Sequence, residues 1–116
     1  GTAEIYRAVE NMEQIVDAVV VGRPNNGDVD VVLCVKLADG IIFDDVLKSD
    51  ISSQIRSATT PRHVPDYIFE VDDIPYTISG KKVEKAVLAT ITGRPVGNKD
   101  ALANPESLKQ YSTLSF

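Results

Sequence analysis

A single cysteine, Cys34, stands in 116 residues, so no disulfide can form within the chain. That fits a reducing, cytoplasmic setting. Histidine is equally scarce, with His63 alone. No cysteine or carboxylate cluster surrounds it at metal-ligand spacing, so no protein-bound metal is expected. No apolar run approaches the roughly 20 residues of a membrane-spanning helix, so a membrane role is not expected. Positive charge is in deficit too. Lys and Arg number 12 against 17 Asp and Glu, a net charge of −5. Sequence-independent nucleic-acid binding depends on neutralising phosphates with cations, so no nucleic-acid partner is expected. A local basic pocket for a phosphorylated ligand stays open. The opening Gly1-Thr2-Ala3-Glu4 carries neither the basic stretch nor the apolar core of a secretory signal. It also lacks an initiator Met, and the expectation is a piece of a longer protein.

What is present is enough for one domain. Apolar residues make up 43% and charged residues 25% of the chain, as in soluble globular proteins. Ile5, Val9, Met12 and Val16 recur at helical spacing and predict a helix over residues 3–16, with Thr2 as its cap. Two β runs follow, 17–23 and 29–37. The turn residues Pro24-Asn25-Asn26-Gly27-Asp28 separate them, which predicts an antiparallel hairpin with a loop of about five residues. In the second run Val31, Leu33, Val35 and Leu37 share one face, and Asp30, Val32, Cys34 and Lys36 the other. Asp44 reads as a helix cap, and Leu47, Ile51, Ile55 and Ala58 give the stripe of a helix over 45–58. Pro61 stops that helix, and Pro65 keeps the next stretch extended before a third strand, 67–71. A third helix is predicted over 82–92, ended by Gly93 and Pro95. Asn104 and Pro105 open a last helical segment, 106–111. The order α-β-β-α-β-α predicts an α+β domain: a small mixed sheet with a β-hairpin, packed by about three helices. Residues 1–95 are read as the domain and 96–116 as an extension packing on it or trailing from it.

The chemistry concentrates in residues 72–81. Gly80 lets backbone approach a ligand, Lys81 offers a mobile ammonium, and Thr77 and Ser79 offer hydroxyl donors. The start of the predicted helix adds partial positive charge. This combination suits phosphate or another oxyanion. It is not a nucleotide P-loop, because Pro75 stands where the first Gly is required and Lys82 where Ser or Thr is required. On local pattern alone, a Gly-Lys pair in a loop reads first as a solvated turn.

Pro75-Tyr76-Thr77-Ile78-Ser79-Gly80-Lys81 resembles the last signature of the adenylate-forming superfamily, Pro-x-x-x-x-Gly-Lys. Gly1-Thr2-Ala3-Glu4-Ile5 resembles the segment that follows the interdomain hinge of those enzymes, and the spacing between the two segments matches their small C-terminal domain. Arg62-His63-Val64-Pro65, Gly80-Lys81-Lys82-Val83-Glu84 and Ala103-Asn104-Pro105-Glu106 resemble the acetoacetyl-CoA synthetase branch in particular.

The resemblance implies a two-step acid–CoA ligase. A small carboxylate attacks the α-phosphate of ATP, then CoA attacks the acyl-adenylate after the small domain has rotated. The implied partner is a large N-terminal adenylation domain of the same chain. It would carry the acyl pocket and receive ATP with Mg²⁺. The 116-residue chain alone is therefore expected to be inactive. Lys81 is the implied catalytic residue, acting in adenylation only. Gly80, Ser79 and Thr77 shape the nucleotide contact. Arg56 matches the distance of an arginine that touches the CoA nucleotide in acetyl-CoA synthetases, although a cation at a helix end also reads as a partner of the helix dipole. Arg62 reads as a contact to CoA phosphates or to the large domain, or as part of a turn held by Pro61 and Pro65. Lys82 and the pair Asp72-Asp73 read as solvated surface, and Cys34 as packing. Rival readings are a ligase of acetate, propionate or another short acid, and, from a different class, a non-catalytic stand-alone binding module.

Overall fold

Helix α1 (Thr2–Glu10) ends one and a half turns before its apolar spacing predicts. Asn11 caps it, and Ile15 already pairs with Leu37 as the first residue of a strand. Sheet pairing satisfies the backbone there, so the helical spacing of Met12 and Val16 is coincidental. Val16 falls where the strand register shifts and is 61% exposed. The cap position is Gly1, which has no side chain to accept a free backbone N–H, and not Thr2, which is the first helical residue. The computed structural model describes all residues, 1–116.

Strand β1 (Ile15–Asn25) and strand β2 (Asp28–Leu37) form an antiparallel hairpin. Its turn is the pair Asn26-Gly27, not the five-residue loop expected. Both residues have positive φ, 52° and 82°. That conformation matches the twist of the flanking strands and is favoured for Asn-Gly, so the ladder runs on to Asn25↔Asp28.

Helix α2 (Asp45–Ala58) follows as expected. The Asp44 carboxylate accepts the Leu47 N–H at 2.8 Å, a cap worth about 0.5–2 kcal/mol. Leu47, Ile51 and Ile55 are buried, while Ala58, the last residue of the predicted stripe, is exposed. A 3₁₀ turn, Pro61–His63, brings the chain back to strand β3 (Tyr67–Glu70). This strand pairs parallel to β2, so the sheet is mixed, in the order β1-β2-β3. Helix α3 (Glu84–Ile91) and 3₁₀ segments Lys99–Ala101 and Pro105–Thr113 complete the chain.

The central strand explains the layering. Val32, Leu33, Cys34 and Val35 are each 0% exposed, so both faces of β2 are covered. On one face Leu33 and Val35 join Ile5, Val9, Ile51 and Ile55 from α1 and α2. On the other Val32 and Cys34 join Ile74, Val87, Leu108 and Tyr111. Burying each such aliphatic side chain contributes about 1.5–3 kcal/mol relative to exposure. Cys34 acts as packing, and burial pushes its thiol up to about 12, which leaves it a poor nucleophile. Residues beyond 95 contribute directly: Leu102, Leu108 and Tyr111 are buried in the second core, and Phe116 packs edge-on against Tyr67 and Phe69. No group of His, Cys, Asp or Glu is arranged to hold a metal ion. No helix is long and apolar enough to cross a membrane.

Candidate functional site

Residues 75–83 form a tight hairpin. Tyr76 and Lys82 bridge antiparallel, Thr77 N–H donates to the Lys81 carbonyl at 2.8 Å, and Val83 N–H donates to the Pro75 carbonyl at 3.0 Å. The turn closes through Gly80 N–H to the Thr77 carbonyl at 2.9 Å. Gly80 has φ +91°, a conformation that side-chain-bearing residues rarely adopt. The Thr77 hydroxyl oxygen accepts the Lys81 N–H at 2.9 Å and lies 3.0 Å from the Ser79 hydroxyl. Both hydroxyls thus fix the turn. Helix α3 begins only at Glu84, so Lys81 sits on a hairpin arm and not at the helix start that the sequence predicts.

The tail braces the outer arm. Ile78 N–H donates to the Ala101 carbonyl and Ala103 N–H to the Tyr76 carbonyl, each at 2.9 Å. The Asn104 side chain accepts from Tyr76 N–H at 2.9 Å and donates to the Ile74 carbonyl and the Asp73 carboxylate, each at 2.8 Å. Asp73 is therefore not the solvated strand end expected. Burial opposes its ionisation, but the Asn104 amide, the Ile74 N–H and Lys36 outweigh burial and hold it below the usual carboxylate range. Asp72 remains exposed, though its N–H donates to the Gln110 side chain.

The inner arm is held to β1 and α1. Lys82 donates to the Ala18 carbonyl at 2.6 Å and pairs with Asp17 at 3.2 Å. Its ammonium lies 4.4 Å from the centre of the Tyr6 ring. The Tyr76 hydroxyl donates to the other Asp17 oxygen at 2.8 Å. Burial first, then Asp17, pushes the Tyr76 phenol up to about 12. Tyr6 accepts the Val20 N–H at 2.9 Å and donates to Glu84. Burial and that carboxylate raise its phenol well above the ordinary range. Lys82 is three-quarters buried, so the sequence reading of it as plain surface is corrected.

The result is an exposed ammonium on a backbone with no slack. Lys81, Gly80 and Ser79 are exposed, and Thr77 is half-buried. Arg56, in the last turn of α2, and Arg62, in the Pro61–His63 turn, are exposed on elements that pack against each other. Arg62 and His63 line a cleft with Ile5, Val20 and Val31. The helix of Arg56 covers the first face of the sheet and the helix after Lys81 covers the second. The structure thus groups the two arginines and does not bring them onto the Lys81 hairpin. Sequence reasoning missed Asp17, Tyr6 and Lys82. The one local signal was the Lys-Lys pair on an extended arm, whose neighbours must point opposite ways.

This fold, with a Pro75–Lys81 hairpin ahead of its last helix, is that of the small C-terminal domain of adenylate-forming enzymes. The chain belongs to the AMP-binding enzyme C-terminal domain family, which matches residues 4–81. It is 50% identical over 98% of its length to an acetoacetyl-coenzyme A synthetase of Rhizobium meliloti. It is 44% identical over 96% of its length to an acetoacetyl-CoA synthetase of Caenorhabditis elegans. The chain spans only 18% and 16% of those two proteins. Among solved structures, acetoacetyl-CoA synthetase from Streptomyces lividans superposes with a TM-score of 0.87 at 36% identity, covering 97% of this chain and 17% of that one.

Proposed function

We propose that this domain serves an ATP-dependent acid–CoA ligase that converts acetoacetate, ATP and CoA to acetoacetyl-CoA, AMP and pyrophosphate. The observation that carries the reading is Lys81, an exposed cation at the end of a hydrogen-bonded hairpin. In the first step a carboxylate oxygen attacks the α-phosphorus of ATP, and the bond to pyrophosphate breaks. Negative charge grows on the phosphoryl oxygens, and an ammonium presented from a preorganised backbone stabilises it. In the second step the CoA sulfur, having lost its proton, attacks the acyl carbon and AMP leaves. Any Mg²⁺ would accompany ATP in the large N-terminal domain. The acyl pocket belongs there too. The choice of acetoacetate is supported by the names of the relatives. Pyrophosphate release by the intact protein over a panel of short acids tests it. Acetoacetate is expected to turn over fastest, and a higher kcat/KM for acetate or propionate would reassign the substrate.

Thioester formation follows domain rotation, and Arg56 and Arg62, which lie off the Lys81 hairpin, supply cations for the CoA phosphates. Arg56→Ala in the intact protein is expected to raise the KM for CoA about tenfold or more and barely change that for ATP. A charge-assisted contact to phosphate is worth about 1.5–3 kcal/mol. An unchanged KM for CoA would leave Arg56 as a helix-end cation.

A further inference from the structure

We propose that Asp17 and Lys82 are positioning residues for Lys81: one carboxylate clamps both arms of the hairpin that carries it. This rests on the ligase reading and adds to it. Tyr76 and Lys82 face each other across the hairpin bridge, one on each arm. Tyr76 binds one oxygen of Asp17 at 2.8 Å, and Lys82 binds the other at 3.2 Å. Asp17 lies on β1, 59 residues before Tyr76, next to the register shift at Val16. It is thus part of the sheet and not of the hairpin.

Lys82 is anchored three further ways. It donates to the Ala18 carbonyl at 2.6 Å, lies over the Tyr6 ring, and keeps only a quarter of its side chain exposed. An ammonium over an aromatic face gains electrostatic attraction as well as packing. Successive side chains on an extended arm point to opposite sides. With Lys82 drawn into the sheet edge, Lys81 must face away from it, and it is exposed. The backbone bonds of the hairpin fix its shape. The Asp17–Lys82 pair fixes its direction relative to the domain. Misplacing a reacting group by about 1 Å can cost on the order of a hundredfold in rate.

The test uses the intact protein and measures the two half-reactions separately. Lys82→Met keeps the apolar stem and removes the ammonium. It is expected to slow acyl-adenylate formation by about 10- to 100-fold, while thioester formation from supplied acyl-adenylate and CoA stays within about twofold of wild type. Lys82→Arg, which can still pair with Asp17, is expected to recover most of the adenylation rate. Asp17→Ala with Lys82→Met should be no slower than the worse single variant, since each removes the same clamp. A merely structural lysine would lower both half-reactions together. Equal losses in both, or wild-type adenylation by Lys82→Met, overturn the proposal. Lys81→Ala is measured beside them. If it adenylates at the wild-type rate, the catalytic role of Lys81 falls and the positioning role falls with it, whereas an intact wild-type protein that forms no acyl-adenylate overturns the ligase reading itself. If it is slow while Lys82→Met is normal, only the positioning role falls.

Discussion

Replacing Lys81 by alanine in the intact protein is expected to slow acyl-adenylate formation by at least about two orders of magnitude, as loss of one preorganised transition-state donor does. Thioester formation from supplied acyl-adenylate and CoA is expected to stay near the wild-type rate. The asymmetry follows from what the side chain touches. Lys81 makes no contact within the domain that would be lost on truncation: its backbone N–H and carbonyl hold the turn, and its ammonium is free. The variant should therefore fold normally and bind CoA normally. Acylation of the Lys81 amine removes the same charge and should reproduce the same pattern. Rapid-quench measurement of adenylate, beside steady-state thioester formation, separates the two steps. Equal damage to both would make Lys81 a general ligand anchor and not an adenylation residue.

The second large effect lies in the tail. Tyr111 is 1% exposed, and its hydroxyl donates to the Asp73 carbonyl at 2.7 Å. Tyr111→Ala leaves an aromatic-sized cavity in the second core and is expected to cost about 3–5 kcal/mol. Tyr111→Phe keeps the ring and removes one hydrogen bond, for about 1–2 kcal/mol. Urea denaturation of the 116-residue chain followed by circular dichroism measures both. Both cores close within these residues, so the comparison can be made on the chain alone. A cost below about 1 kcal/mol for Tyr111→Ala would mean that the segment after residue 95 packs loosely. The larger value would make it part of the domain and, through Asp73 and Asn104, a support of the Lys81 hairpin.

Local patterns revealed the elements whose causes are local. Helix α2 was legible because Asp44 caps it and its stripe is short-range in sequence. The Asn26-Gly27 turn was visible as a turn but not as a two-residue one, because the extra rungs of the ladder depend on strand twist. Helix α1 was read too long because strand pairing between Ile15 and Leu37, a non-local contact, decides where it stops. The Lys81 motif was legible as a motif. Its support was not: Asp17 lies 59 residues from Tyr76, Tyr6 lies 78 from Glu84, and Asn104 lies 28 from Tyr76. Polar side chains that look like solvated surface in sequence become half-buried braces only when the sheet edge brings them together.

That same edge has a further consequence. Strand β1 is the outer strand of the sheet, and an outer strand ordinarily offers a row of free donors and acceptors to any passing chain. Here part of the row is occupied from within. The Ala18 N–H is taken by the Asp17 carboxylate at 2.8 Å, the Val20 N–H by Tyr6, and the Ala18 carbonyl by Lys82. At Pro24, further along the same side, there is no N–H to offer. The opposite border, β3, is only four residues long. The side chains that hold the hairpin therefore also guard this part of the sheet border against edge-to-edge pairing with another copy.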